Sequence, residues 1–326
     1  MSDKIIAIDL GGTSVKLAII STQGEILQKW SISTNILDGG KYIVPEIIES
    51  IKERLTLYQL SIHDFLGIGM GTPGVINYDD GSVIGAYNLN WTTKQAIRDQ
   101  FLEHFELPFF IENDANLAAL GEQWKGAGLH SANCVMLTLG TGVGGGVVIN
   151  HQLVHGTNGA AGEIGHITID PLTKIQCTCG KHGCLEAVAS ATGIINLARD
   201  YSQRFSGQSK IKEMIDNGDQ VTSKDIFDAA KNNDIFSKKI VEQFTYYLAL
   251  ASSHIANILN PNYIIIGGGV SQAGEYLLKQ IKEKFVEFTF PQIRDKTEVV
   301  LASLGNDAGI LGAAQLVNIN LNGVEV

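Results

Sequence analysis

The chain repeats one short pattern, in which a β-rich run, a glycine turn and a second β-rich run follow one another. The two copies are offset by 129 positions, so that Leu10-Gly11 aligns with Leu139-Gly140. Each copy predicts a strand, a tight turn and a strand, because β-branched residues favour strands and glycine permits the turn. A repeated unit of this kind predicts two halves with a similar order of elements.

Strand and helix patterns alternate along both halves, which predicts an α/β protein. In the first half three strands, a helix and a strand follow one another, and this order recurs in the second half. The predicted segments are strands at 5–8, 15–20, 25–33, 65–70 and 263–266, and helices at 42–57, 235–259 and 276–285. Residues 206–224 are polar and irregular in pattern, so we expect a surface excursion there.

Charge and length limit the class of protein. The 326 residues include 24 Lys plus Arg and 34 Asp plus Glu, for a formal net charge of −10. A chain this acidic, without a basic run, is a poor partner for nucleic acid or an anionic membrane surface. The N-terminal residues lack a signal-peptide pattern, and the uncharged stretch 126–162 contains no 18-residue apolar run. We therefore expect a soluble, cytoplasmic protein of two domains.

The first glycine turn, Asp9-Leu10-Gly11-Gly12-Thr13, is a candidate phosphate site. Glycines let backbone N–H groups approach an anion, and a carboxylate at the end of a strand can order a metal ion that bridges phosphates. An ordinary hairpin has the same pattern, so the turn alone leaves both interpretations open.

The second glycine turn, Gly140 to Gly146, formally contains G-x-G-x-x-G, with Glu163 roughly where a ribose-binding acid would stand. A dinucleotide site requires a helix directly after the glycines. Here a β-rich run with a turn at Asn150-His151 follows, so we reject that interpretation, and the Walker pattern is absent. The sequence instead predicts a second hairpin turn, which could clamp a polyphosphate opposite the first.

Three of the four cysteines cluster as Cys177, Cys179 and Cys184, and His166 precedes them. Three thiolates and one imidazole form a complete tetrahedral shell for Zn²⁺ without an open position, so the site should be structural. Cysteines clustered this closely in a reducing compartment favour metal over disulfides. The isolated Cys134 lies in an apolar run and is interpreted as a small hydrophobic residue of a strand.

Glu112-Asn113-Asp114-Ala115-Asn116 lies between a predicted strand at 108–111 and a predicted helix at 117–124. Asn113 and Asp114 are both good N-cap residues, and a carboxylate at the end of a strand is also well placed as a general base. One of the two can cap the helix while the other acts in catalysis. Glu163 and Glu186 are further candidates, because a zinc knot beside them would immobilise both.

Together these motifs resemble the ROK family (repressor, open reading frame, kinase), most closely its ATP-dependent glucokinases of Gram-positive bacteria. Asp9 to Lys16 is similar to the family's first phosphate motif, Gly140 to Gly146 to its second, and Gly267 to Gly269 to its adenosine turn. The segment 156–166, followed by 177–186, is similar to the Glu-x-Gly-His and zinc-knot signatures. The resemblance covers nearly the whole chain.

The resemblance implies an actin/hexokinase-like (ribonuclease H-like) pair of α/β domains that closes on a sugar and ATP·Mg²⁺, with a zinc knot in the second domain. It implies a small domain at 1–116 completed by a C-terminal helix at about 305–322, and a large domain at 117–304 that forms a homodimer.

The resemblance also implies the roles of individual residues. Asp114 would take the proton from the sugar's 6-hydroxyl group, which attacks the γ-phosphate to give glucose 6-phosphate and ADP. The sugar hydroxyls would be held by Gly74, Asn113, Asp114, Glu163, His166 and Glu186. The residues implied for ATP are Asp9, Gly11, Gly12, Thr13, Lys16, Gly140, Thr141, Gly142, Gly267, Gly268 and Gly269. His166 would serve zinc with one ring nitrogen and the sugar with the other.

Two other kinds of function remain to be weighed against the kinase. A sugar-responsive repressor of the same family would carry a DNA-binding module before the first phosphate motif, where only eight residues precede Asp9. An actin-like filament ATPase would have no use for the zinc knot. Among kinases, glucose is favoured over N-acetylglucosamine, N-acetylmannosamine, allose or fructose by the resemblance alone.

Overall fold

The computed structural model describes residues 3–323 and divides into two compact units. The first unit comprises Met1–His130, Asn150–Ala161 and Asn306–Val326, and the second comprises Ser131–Ile149 and Gly162–Gly305. The boundary expected after residue 116 differs from this division, because it falls inside a helix that belongs whole to the first unit.

The strands in chain order are β1 (Lys4–Leu10), β2 (Ser14–Ser21), β3 (Ile26–Ser33), β4 (Phe65–Thr72), β5 (Val75–Asn77), β6 (Ser82–Ile84), β7 (Phe109–Asn113), β8 (Cys134–Leu139), β9 (Val143–Ile149), β10 (Gln152–Leu153), β11 (Tyr263–Gly267) and β12 (Glu298–Leu301). The helices are α1 (Leu37–Gly40), α2 (Ile43–Leu57), α3 (Ile97–Leu102), α4 (Asp114–Lys125), α5 (Leu185–Ala189), α6 (Ala191–Ser202), α7 (Lys210–Asp216), α8 (Ser223–Lys231), α9 (Ile235–Leu259), α10 (Glu275–Phe288), α11 (Pro291–Arg294) and α12 (Ala308–Asn322). These elements confirm the α/β class.

The main sheet of the first unit has the order β3-β2-β1-β4-β7. Its β1 and β2 form an antiparallel hairpin, and β4 and β7 run parallel to β1. The sheet of the second unit contains β9, β8, β11 and β12 in the same relation: β8 and β9 are antiparallel, and β11 and β12 run parallel to β8. The repeat at offset 129 is therefore a repeat of topology, with β8 in the place of β1.

Glycines bring helices α4 and α12 of the first unit close together. A Cβ on Gly121 would lie 2.1 Å from the carbonyl oxygen of Ala308, and one on Gly312 would lie 1.9 Å from that of Leu117. Any larger residue at either position must separate the two helices. This close packing fixes α4, whose first residue is Asp114.

The expected surface excursion at 206–224 is mostly exposed, and it contains helix α7, which was not predicted. The side chain of Ser209 accepts a hydrogen bond from the backbone N–H of Lys212 and caps this helix, and Ile211 is buried. Its apolar residues Ile211, Met214 and Ile215 have helical spacing, but they span less than two turns, which is too short a stretch for the period to identify a helix.

Within residues 3–323 the helices are all too short or too polar to cross a membrane. The cytoplasmic location expected from the sequence stays a prediction.

Candidate functional site

The first glycine turn joins β1 to β2 and is closed by the N–H of Gly11, which donates to the carbonyl of Ser14 at 3.0 Å. Asp9 and Lys16 face each other across the hairpin, with Lys16 Nζ 3.0 Å from Asp9 Oδ2. The hydroxyl of Thr34, which follows β3, donates to the carbonyl of Gly11 at 2.7 Å and adds a second hydrogen bond to the turn. Two hydrogen bonds thus hold the turn, and the Lys16 ammonium group forms an ion pair with its carboxylate.

Gly309, which the sequence analysis did not single out, makes room for Asp9. A Cβ at this position would lie 2.8 Å from the carboxyl carbon of Asp9. Gly309 is the second residue of α12, so the helix begins against the carboxylate. Its signal in the sequence is the segment Gly305-Asn306-Asp307-Ala308-Gly309, a glycine turn that directly precedes an apolar helix.

Asn113 ends β7 and is the N-cap of α4, as the sequence predicted for one member of the pair. Its Oδ1 accepts hydrogen bonds from the N–H groups of Ala115 at 2.9 Å and Asn116 at 3.3 Å. Asp114 is the first residue of the helix and accepts from the same Ala115 N–H at 2.8 Å. Because Asn113 supplies the cap, the Asp114 carboxylate is not required for it.

Removal from water raises the pKa of Asp114 above its ordinary value of 3.8, and the negative charge of Asp9 raises it further. The hydrogen bond from Ala115 opposes this rise. Asp114 is an exposed residue. The protein atoms around its carboxylate nevertheless reduce the hydration of that group. A carboxylate with a raised pKa is a stronger base than one in water, as proton abstraction requires.

Gly74 lies in the turn between β4 and β5 with φ at +102°. A Cβ there would lie 2.9 Å from Val83 and 3.0 Å from Ala86. Both the backbone conformation and the space therefore require glycine.

In the second unit, Gly140 to Gly142 joins β8 to β9, as predicted for a hairpin. Gly142 lies against Glu186, since a Cβ on Gly142 would be 2.2 Å from Glu186 Oε2. The same oxygen accepts the N–H of Val143 at 3.0 Å. The dinucleotide pattern is not followed by a helix, because β9 begins at Val143.

The triple glycine ends β11, beside the strand that leads into this loop. Gly268 has φ at +82°, and a Cβ on it would lie 2.6 Å from backbone atoms of Leu139. Strands β8 and β11 are parallel neighbours, with Gly267 opposite Thr138. The structure thus brings Gly267 to Gly269 next to Gly140, as two glycine loops at the carboxyl ends of adjacent strands.

Glu163 precedes a 3₁₀ turn, Ile164–His166, that packs on β9 through glycines. A Cβ on Gly165 would lie 2.2 Å from the carbonyl oxygen of Val143, and one on Gly145 would lie 2.4 Å from that of Gly162. The Glu163 carboxylate is mostly exposed, and its Oε2 is 3.8 Å from His166 Nε2.

His166, Cys177, Cys179 and Cys184 come together, with one potential ligand atom from each lying within 4.8 Å of the others. Cys179 Sγ is 3.6 Å from Cys184 Sγ, and Cys177 Sγ is 3.6 Å from His166 Nδ1. At Zn–S distances near 2.3 Å, the sulfurs of a tetrahedral site are about 3.8 Å apart. The spacing fits a shared cation and is far from the ~2.05 Å of a disulfide.

Glu186 links this cluster to the glycine loop. Its Oε1 accepts the hydroxyl hydrogen of Thr178 at 2.7 Å and lies 3.6 Å from Cys177 Sγ, while its Oε2 holds Val143. The two ring nitrogens of His166 likewise face different residues: Nδ1 lies toward Cys177 and Nε2 toward Glu163. No role was predicted for Thr178, whose position between Cys177 and Cys179 is its signal in the sequence.

The chain is similar over nearly its whole length to proteins of one family. A model of the ROK family matches residues 5–319. A glucokinase from Halalkalibacterium halodurans is 45% identical over 326 residues, which are 100% of this chain and 98% of that protein. The crystal structure of a ROK hexokinase from Thermus thermophilus superposes with a TM-score of 0.83 at 28% identity, over 98% of this chain and 100% of that one. A ROK family glucokinase from Streptomyces griseus in complex with glucose and AMPPNP gives 0.72 at 28% identity, over 96% and 98%.

Proposed function

The chain belongs to the ROK family, and we propose that it acts as an ATP-dependent glucokinase, which converts glucose and ATP to glucose 6-phosphate and ADP. The observation that carries this function is the 45% identity, over the full chain, to a protein named glucokinase. The Streptomyces griseus relative, in complex with glucose and AMPPNP, supports the same pair of substrates. The two-unit α/β fold is that of ROK hexokinases.

We propose that Asp114 is the general base. The 6-hydroxyl oxygen of glucose attacks the γ-phosphorus of ATP, the bond from that phosphorus to the bridging oxygen breaks, and ADP leaves. The hydroxyl proton passes to the Asp114 carboxylate. Two features support this role: Asn113 caps α4 in its place, and the pKa of Asp114 is raised.

We propose that Gly74, Asn113, Glu163, His166 and Glu186 hold the sugar hydroxyls with Asp114. The exposed Glu163 carboxylate can accept hydrogen bonds from sugar hydroxyls, and Nε2 of His166 can donate or accept one.

ATP is proposed to bind at the glycine turns of each unit. The residues are Asp9, Gly11, Gly12, Thr13 and Lys16 of the first unit, and Gly140, Thr141, Gly142, Gly267, Gly268 and Gly269 of the second. Asp9 has the chemistry to hold a Mg²⁺ ion that accompanies ATP, and bound Mg²⁺ would offset phosphate charge. Lys16, now paired with Asp9, supplies a second positive charge.

We propose that the cluster of His166 and three cysteines holds Zn²⁺. The four donors complete a tetrahedral shell, so zinc there would be structural, fixing the side chains around it. Glu186 and Glu163 are the two carboxylates that lie beside the cluster.

We also propose that the protein forms a homodimer through the second unit. Most of helix α9 is core, as expected for a residue such as Phe244, but Tyr246 and Ile258 on the same helix are exposed. Phe290, after α10, is also exposed. The backbone N–H of Phe290 donates to the side chain of Asn257, the residue before Ile258, and apolar side chains grouped at the surface are typical of an interface.

The function is tested by a coupled ADP-release assay with a panel of sugars: glucose, mannose, fructose, allose, N-acetylglucosamine and N-acetylmannosamine. Glucose with ATP should give the highest kcat/KM, and Asp114→Asn should abolish the signal. A higher kcat/KM for any N-acetylhexosamine would refute the assignment of glucose. Polyphosphate in place of ATP tests the phosphoryl donor, and we expect ATP to be preferred.

A further inference from the structure

A buried carboxylate that the proposed mechanism does not use lies one residue before Asn113. Glu112 is 1% exposed. Its Oε1 accepts hydrogen bonds from the Tyr78 hydroxyl at 2.8 Å, the Asn113 N–H at 2.8 Å and the Asn116 side-chain amide at 2.9 Å. Its Oε2 lies 2.6 Å from Nε2 of His155. All of these residues belong to the first unit.

Glu112 Oε2 and His155 Nε2 are close enough to form an ion pair whenever the imidazole is protonated. A buried carboxylate needs a partner that compensates for its lost hydration. The hydrogen bond to Glu112 raises the pKa of His155 above its ordinary 6.5, although burial opposes this. Burial, with the negative charge of Glu112, raises the pKa of Tyr78, which therefore stays a neutral donor. Among the described residues, Glu112 and Tyr78 are titratable groups in contact with His155. Arg98 lies nearby and donates to the carbonyls of Tyr78 and Asp79.

His155 also fixes the segment 155–161. Its carbonyl accepts the N–H of Ala161 at 3.0 Å and closes the segment into a loop. The rings of Tyr78 and His155 are in tilted contact, with centroids 4.5 Å apart, and a Cβ on Gly159 would lie 3.2 Å from the Tyr78 ring. The loop therefore packs on the residues that bind the Glu112 carboxylate. It ends two positions before Glu163 in the sequence.

We propose that Glu112 and His155 are a positioning pair for the sugar, because one ion pair holds both the backbone of Asn113 and the loop that leads into Glu163. The inference rests on the proposed function, in which Asn113 and Glu163 hold sugar hydroxyls. Neither Glu112 nor His155 needs to touch the substrate. Loss of the pair should therefore raise KM for glucose far more than KM for ATP.

The pair should also give the glucose KM a characteristic pH dependence. Since the pKa of His155 is raised in the folded protein, the ion pair is intact at low pH and is lost as pH rises through that value, above 6.5. Glu112→Gln keeps the side-chain size and replaces the ion pair with a neutral hydrogen bond. This variant should lose the alkaline rise in glucose KM.

The experiment compares wild type, His155→Ala, Glu112→Gln and His104→Gln, with glucose and ATP varied separately from pH 6 to 9. His104 is an exposed histidine of the same unit and serves as the matched control. We expect His155→Ala to raise the glucose KM about tenfold or more with the ATP KM within about twofold. His104→Gln should keep the wild-type profile.

The outcomes separate this inference from the proposed function. Equal rises in both KM values, or a lower kcat at unchanged glucose KM, would show a merely structural role and overturn the inference. An alkaline rise that persists in Glu112→Gln would also overturn it. A wild type that phosphorylates no sugar would overturn both the proposed function and the inference.

Discussion

The Oε2 atom of Glu186 accepts the backbone N–H of Val143 at 3.0 Å. Its other oxygen accepts the hydroxyl hydrogen of Thr178, which stands between two cysteines of the cluster. One side chain thus joins the candidate metal site to the glycine loop proposed for ATP. This link explains why Gly142 has no side chain, since a methyl group there would collide with the carboxylate.

Gly142→Ala should displace Glu186 from the loop. An added Cβ would be 2.2 Å from Glu186 Oε2, whereas one on Gly140 would meet no atom within 4 Å. We expect Gly142→Ala to lower Tm and to reduce kcat/KM for glucose at least tenfold. Gly140→Ala should lower Tm less. Steady-state kinetics and thermal melts of both variants make the comparison, and equal effects on Tm would contradict the steric explanation.

Asp114→Asn should remove turnover while leaving the fold intact. A positioned general base typically contributes about 10²–10⁴ in rate. Asn113 caps α4, so the substitution removes no cap. We expect kcat to fall at least a hundredfold with Tm near that of wild type. Retained turnover would move the role of base to Glu163 or Glu186.

The raised pKa of Asp114 predicts two effects of pH. As a base, the carboxylate must be ionised, so kcat should fall on the acid side with a midpoint above 3.8. Folding favours its protonated form, so this group's contribution to stability falls as pH rises from 3.8 through the raised value. Asp114→Asn should therefore lose less stability than wild type over that range. Chemical denaturation at several pH values measures the difference, and parallel curves would argue against a raised pKa.

Cys179→Ser should lose zinc and activity together, because the remaining three ligands no longer complete the shell. Metal analysis of purified wild type should give about one zinc per chain. Cys134→Ala, which removes a cysteine outside the cluster, should keep the metal. Fully active protein without bound zinc would contradict the proposed structural site.

Ile258→Glu should disrupt the proposed dimer, since it places a charge on an apolar side chain that is 78% exposed. Light scattering should give twice the mass of one chain for wild type and a single chain for the variant. Leu57→Glu, at a 70% exposed position of the first unit, is the control and should leave the mass unchanged. A monomeric wild type at working concentration would rule the dimer out.

Much of the fold could be predicted because its elements have strong local patterns. Helix α9 was predicted with its observed bounds, and the hairpin of β1 and β2 was placed by its glycine turn. Helix α7 was missed, since its apolar residues span only Ile211 to Ile215, too short a stretch for the helical period to be recognised. The boundary between the units also differs from the prediction, because α4 is held by α12, which lies about 190 positions later in the chain.

The sequence by itself determined the residue types, the presence of an N-cap at Asn113 or Asp114 and the four residues of the candidate metal cluster, because each depends on chemistry carried by short segments. Only the tertiary structure decided that Glu186 holds Val143, that Gly309 accommodates Asp9 and that Glu112 pairs with His155. The residues of these contacts are far apart in the chain, and each contact exists only after the sheets and helices have packed. A buried carboxylate has no sequence signature, because its partner is selected by proximity in the folded protein and by the cost of leaving the charge unpaired.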